Sequence, residues 1–294
     1  MFKRTCYLLF CLLFVAVSLN AQLLWKVSGN GLAKPSYLLG THHLVESEQI
    51  PDLEKMLSQI TNVDAAVGEM DLGDKMGMQI KVMKAAMMKD QTIADLISAE
   101  DYALVDAEFK AVIGYGLKPL EKMKPMMLSS MYTVMAYMKQ NNISKQPEAI
   151  DELVQKRAKK AKKEIVGLET IEQQADILFN SIPTQRQAEI LVKAVKDKNK
   201  GNDESAKLTK AYLAGDLKQL EKIYADETDM TESERKILVD NRNANWISQL
   251  KVMFQAKSCF VAVGCLHLVG EQGLIKQLQN AGYTVEARLL YTSP

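Results

Sequence analysis

The chain has 294 residues, 47% of them hydrophobic and 25% charged, with 37 basic side chains against 36 acidic ones. That near-neutral balance argues against a nucleic-acid partner held by overall charge. The length is ample for a core that needs no disulfide staples.

The opening stretch, MFKRTCYLLFCLLFVAVSLNAQ, has a basic start at Lys3 and Arg4, an apolar run from Thr5 to Val17 and a small polar tail ending at Ala21. The run is too short to span a bilayer comfortably, and the bland alternative is an uncleaved N-terminal anchor. Its pattern is that of a cleaved secretory signal peptide over residues 1–21, so residues 22–294 are expected to be exported, to the periplasm or outside the cell. Cleavage removes Lys3 and Arg4, leaving 35 basic against 36 acidic side chains and a net charge of −1. Cys259 and Cys265 then remain. They lie on one apolar strand at about 3.3 Å per residue, too far apart to bridge. No second long apolar segment follows, so no transmembrane segment is expected after cleavage.

LLWKVSG, NGLAKP and SYLLGT read as apolar run, turn and apolar run, a β-hairpin. The glycines of GNGLAKP join two strands and open no helix, which sets a phosphate loop aside. Pro51 opens a helix, PDLEKMLSQI, with Leu53, Met56, Leu57 and Ile60 on one face. VDAAVGEMD is a strand ending at Glu69. Met76, Ile80, Met83 and Met87 then recur at helical spacing, as do Met127, Met131, Met135 and Met138. Twelve of the 16 methionines lie between Met70 and Met138. The spacing favours a plain helical core over an adaptable binding surface or a copper site.

AIDELVQKRAKKA is a helix whose basic run, Lys156–Lys163, reads as a solvated face. KEIVGLET is a strand ending at Glu169. TIEQQADILF, PTQRQAEILVKAVKDK and SAKLTKAYLAGDLKQLEKIY read as helices, and a long helix runs from Thr231 towards Gln255. SCFVAVG is a strand, GEQGLIKQLQNAG a helix stopped by Gly282, and YTVEARLL a last strand. The expected fold is therefore α/β (α+β-like), a single domain over 22–294. Its one sheet is built from strands near both ends of the chain, with a large, mostly helical insertion over roughly 74–160 and 170–255.

Two segments repeat each other. GTHHLVESEQ and GCLHLVGEQG both read G-x-x-H-L-V, each after an apolar strand, which puts His43 and His267 just past two strand ends. In open α/β sheets such ends gather ligands and catalytic groups. His42 falls outside the repeat. The carboxylates pair likewise: Val67–Glu69 (VGE) and Val166–Glu169 (VGLE) each close an apolar strand with glutamate. Four strands bring His43, His267, Glu69 and Glu169 to one sheet edge. Such a set suits a borderline divalent metal, Zn²⁺, Mn²⁺ or Co²⁺. It equally suits metal-free hydrolysis, with a histidine deprotonating water and a glutamate orienting it. The bland readings are a histidine that caps a turn and a glutamate that caps the next helix, as Glu169 before TIEQQ would.

With LLGTHH, AAVGEMD, IDELVQKRAKKAKKEIVGLETIEQQ, VDNRNANWISQL and CFVAVGCLHLVGEQGLIKQLQNAGYTV in this order, the chain resembles the TraB/PrgY/GumN family, whose animal relatives include the Tiki metalloproteases. The resemblance covers nearly all of 22–294. It implies a metal-dependent peptidase. Distant relatives include erythromycin esterase, and some bacterial members are linked to peptide-pheromone shutdown. The positions that match are His43, Glu69, His267, Glu169 and Arg242, with His42 at a variable position that implies a surface or supporting role.

Two functions follow as expectations. In the first, His43, His267 and Glu69 hold a divalent metal that activates water. Glu169 (or Glu69, if it is not a ligand) is the general base, and Arg242 binds an oxyanion or a substrate carboxylate. The substrate is a peptide or another small molecule. In the second, the protein is no enzyme and sequesters a hydrophobic peptide or signal on its methionine-rich helices. No motif specifies an oligomeric state.

Overall fold

The computed structural model describes residues 23–226 and 230–288, so the expected signal peptide lies outside the described residues. The chain begins with the expected hairpin, β1 (Leu24–Gly29) and β2 (Ser36–Thr41). It continues through α1 (Leu53–Ser58) to β3 (Ala65–Gly68). Four helices follow: α2 (Lys75–Ala85), α3 (Ala99–Ile113), α4 (Pro125–Gln140) and α5 (Ile150–Lys160). After β4 (Glu164–Gly167) come α6 (Ile171–Asn180), α7 (Thr184–Lys196), α8 (Lys198–Ala214), α9 (Leu217–Ala225), α10 (Glu232–Arg235) and α11 (Asn241–Ala256). The fold closes with β5 (Cys259–Gly264), α12 (Leu274–Asn280) and β6 (Tyr283–Ala287).

The six strands form one mixed sheet in the order β4-β3-β5-β2-β1-β6. The first four run parallel, and β1 is antiparallel to both β2 and β6. Both faces of the sheet centre are covered, which is why β2, β3 and β5 read as continuous apolar runs, whereas the edge strand β6 alternates buried and exposed residues. On one face Tyr37, Leu39, Ala66, Phe260 and Ala262 pack with residues of α1, α5, α8 and α9. On the other, Leu38, Ala65, Val67, Val261 and Val263 pack with Trp246, Leu250 and Phe254 of α11 and with α12. A separate core joins α3, α4 and α7, with Phe109 stacked on Tyr132 at 5.9 Å. Cys259 and Cys265 are free and buried, in opposite cores. Burial pushes both thiols up to about 12. No helix among the described residues is long and apolar enough to cross a membrane.

Three local expectations change. Strands β3 and β4 stop at glycine, so Glu69 and Glu169 stand just beyond them. The long helix before β5 is interrupted by a π turn over Lys236–Asp240. The methionine stripe of α2 is not core: Met76 is 74% and Ile80 64% exposed, with Met83 and Met87 also in solvent. The covered side of α2 carries Val82 and Ala85, which pack against Ala175 and Phe179 of α6. A helical period identifies two faces, but the neighbour that covers one of them decides which is inside. On α4 the expectation holds better, since Met138 is buried and Met131 packs against the core.

Candidate functional site

The four parallel strands end at one edge, and their register aligns the repeated motifs. Thr41 of β2 pairs with Gly264 of β5, so Gly40-x-x-His43 and Gly264-x-x-His267 leave neighbouring strands side by side. The first motif's glycine keeps this contact close. A Cβ at Gly40 would lie 3.1 Å from Leu268 Cδ1 and 3.2 Å from Cys265 Cβ, both in the second motif. Across the edge, Gly68 pairs with Gly167. A Cβ on Gly167 would stand 2.7 Å from the Asp71 nitrogen. With glycines there the ladder continues past the strands: Leu168 N–H donates to Gly68 O (3.0 Å) and Glu169 N–H to Glu69 O (2.8 Å). The two carboxylates thus emerge together.

Arg242, on the first turn of α11, lies between them. Its Nε donates to Glu169 Oε1 (2.9 Å), and its Nη2 to Glu169 Oε2 (2.8 Å) and Glu69 Oε2 (2.7 Å). Its Nη1 donates to Leu238 O (3.2 Å), in the π turn, and to His267 Nε2 (3.3 Å). These contacts occupy all five guanidinium N–H groups. Trp246 Nε1 donates to Glu169 Oε1 (3.0 Å), the Gly264 N–H to Glu69 Oε1 (3.0 Å), and Gln174 Nε2 to Glu69 Oε2 (3.1 Å).

The network sets the tautomer of His267. A guanidinium only donates, so Nε2 accepts and the proton sits on Nδ1, which donates to Asn243 Oδ1 at 2.7 Å. Asn243 cannot flip, because its amide nitrogen donates to His267 O (3.1 Å) and Gln272 O (2.8 Å). The imidazole lies against the Trp246 ring, with 4.4 Å between centroids. Burial lowers the His267 pKa to about 4 against the pull of Glu69, so the ring is neutral at neutral pH. For Glu69, burial opposes the charge. Protonated His267, the fixed charge of Arg242 and the Gly264 N–H bond outweigh it and hold the carboxyl down to about 2.

Four of the five expected residues, Glu69, Glu169, Arg242 and His267, therefore meet in one hydrogen-bonded cluster. His43 stands apart at its mouth. Its side chain is 66% exposed, with Nδ1 3.5 Å from Asp151 Oδ2, and its charge bears on His267. His42 turns inward. Its ring packs on Tyr212 (5.4 Å) and its Nδ1 accepts from the Leu44 N–H (3.2 Å), which makes it a packing residue of the turn. Burial, and the nearby charge of His43, lower its pKa to about 4.

Several expected roles change with this geometry. Arg242 has no N–H left for an oxyanion or a substrate carboxylate; it is a clamp. Glu169, with both oxygens on Arg242 and Oε1 also on Trp246, is not placed as a general base. Nor does the set fit one cation shared by His43, His267 and Glu69. The His267 Nε2 lone pair and both Glu69 oxygens are engaged, and a fixed positive charge lies among them. Among the described residues no group of three or more His, Cys, Asp or Glu side chains is disposed to hold a metal. Asp151, Gln174 and Trp246 also contact these residues, and none of the three stands out in the sequence; Asn243 does only as half of the RN pair. Asp151 was disguised as an ordinary first-turn acid of α5. Asn243 and Gln174 sit in the RN and TIEQQ stretches but only tertiary contact gives them partners.

The buried groups set the pH response. His267 and His42 have folded pKa values below the unfolded 6.5, so the unfolded chain binds more protons below that value. Their contribution is fully present above pH 6.5 and is lost as pH falls towards 4. Glu69 acts in the same direction from 4.5 down to about 2, while Asp151, whose pKa burial raises, acts against both. The urea midpoint is expected to be flat above pH 7 and to drop between pH 6.5 and 4; equal midpoints at pH 7.5 and 5 would contradict buried neutral histidines.

The chain belongs to the TraB/PrgY/gumN family, whose model matches residues 23–287. No curated protein and no solved structure matches it.

Proposed function

We propose that the protein is an exported hydrolase of peptide bonds, with His43 as its general base. The observation that carries this reading is the side-by-side exit of the two G-x-x-H motifs. It places a solvent-facing imidazole, backed by a buried carboxylate, over a preorganised acidic cluster. In the reaction His43 Nε2 takes a proton from water as its oxygen attacks the scissile carbonyl. The imidazolium then returns the proton to the leaving amine, so one water yields an acid and an amine. Asp151 Oδ2, 3.5 Å from His43 Nδ1, faces that ring throughout. A polar cleft of about 1080 Å³, which His43 itself does not line, is bordered by Glu46, Lys75, Glu148, Glu152 and Lys156 among others. Its mixed charge suits a peptide segment. The mechanism uses no metal, because the donor set does not fit one.

The purified protein, incubated with a mixed peptide library, should generate new termini detectable by mass spectrometry, equally with and without chelator. Peptides intact under all conditions would sink the hydrolase reading. Activity lost to chelator and restored by Mn²⁺ or Co²⁺ would sink the metal-free mechanism.

The exposed Met76, Ile80, Met83 and Met87 face supports the second reading, a binder of a hydrophobic peptide. Changing Met76 and Ile80 to lysine is expected to alter stability by under about 0.5 kcal/mol, since neither is buried. If the face binds, the same change abolishes retention of an apolar peptide on the immobilised protein. Retention unchanged in the variant would exclude this face.

A further inference from the structure

The group that makes His43 a base is a residue outside both repeated motifs. We infer that Asp151 is the positioning residue of His43, accepting its Nδ1–H and leaving Nε2 as the free lone pair. This rests on the hydrolase reading only for its use, not for its geometry.

Asp151 occupies the first turn of α5, where the helix N-terminus favours a carboxylate. Its side chain is 13% exposed. Oδ1 accepts from Thr41 Oγ1 at 3.1 Å, which ties α5 to the last residue of β2, two positions before His43. Oδ2 is buried and takes no hydrogen bond. A buried carboxylate oxygen without a donor is costly. The group facing it is His43 Nδ1 at 3.5 Å, on a ring free to turn because it is mostly in solvent. A small rotation of this exposed ring would shorten the contact to a hydrogen bond. Burial and the nearby charge of Glu69 raise the Asp151 pKa, while His43 draws it down, so the carboxylate gains most from this one partner. Base and orienter are then related as in any imidazole held by a carboxylate behind it.

The chain has three histidines, His42, His43 and His267, so their ring nitrogens are resolvable one by one. Long-range ¹⁵N–¹H correlation spectra of the full protein at pH 8 read each tautomer without substrate. His43 is expected to be protonated on Nδ1 in the wild type and to change to the Nε2–H form in Asp151→Asn, while His267 stays Nδ1–H in both. A wild-type His43 protonated on Nε2 overturns the inference, and that measurement stands even if the variant does not fold. An unchanged tautomer in a folded Asp151→Asn protein overturns it too. Because the spectra need no turnover, failure of the peptide-library assay is distinguishable from failure of this assignment.

Discussion

Replacing Arg242 with methionine is expected to cost about 3–5 kcal/mol of unfolding free energy, the range for removing one partner of a buried ion pair. The side chains of Glu69 and Glu169 are 17% and 8% exposed, and Arg242 is the cation both share. Without it two carboxylates face each other in a buried site, and His267 Nε2 loses the donor that fixes its tautomer. Adding Glu169→Gln to the methionine variant should recover part of the loss, as a double-mutant cycle in urea would show. Arg242→Lys should fall between, because an ammonium lacks the planar fork that reaches both carboxylates at once. A loss under 1 kcal/mol for the methionine variant would mean that the cluster is not a stability element.

The second large effect separates activity from stability. His43→Ala is expected to lower peptide hydrolysis about 10²- to 10⁴-fold, the usual contribution of a general base. Its stability should change by less than about 0.5 kcal/mol, as for other exposed positions. His267→Ala should instead lose both, since that ring is buried against Trp246 and bonded at each nitrogen. Full activity in folded His43→Ala would remove the proposed site altogether.

The repeated G-x-x-H-L-V was legible because the two copies can be laid over each other, and it separated His43 from His42 before any geometry was known. The strand-end glutamates were legible for the same reason. Their partner's role was not. Only Leu238 O is local to Arg242; its other acceptors follow β3 and β4 or belong to the second motif, far away in the chain. Two imidazoles and a carboxylate in a sequence suit a metal; the guanidinium that lies among them here becomes visible only in the fold. The outward stripe on α2 was hidden differently, since Val82 and Ala85 are modest residues that give no hint of being the covered side.

The placement of β5 has a consequence for the order in which the molecule is assembled. The strand lies between β3 and β2 although it comes after both β3 and β4 in the chain. Until residues 259–264 arrive, the sheet is two fragments, the β1–β2 hairpin and the β3–β4 pair, with no hydrogen-bonded seam joining them. The Glu69 cluster also waits for this strand, which supplies the Gly264 N–H and leads directly to His267. Such non-local pairing is slow to form. A growing chain therefore carries its carboxylates long before the cluster that neutralises them can close.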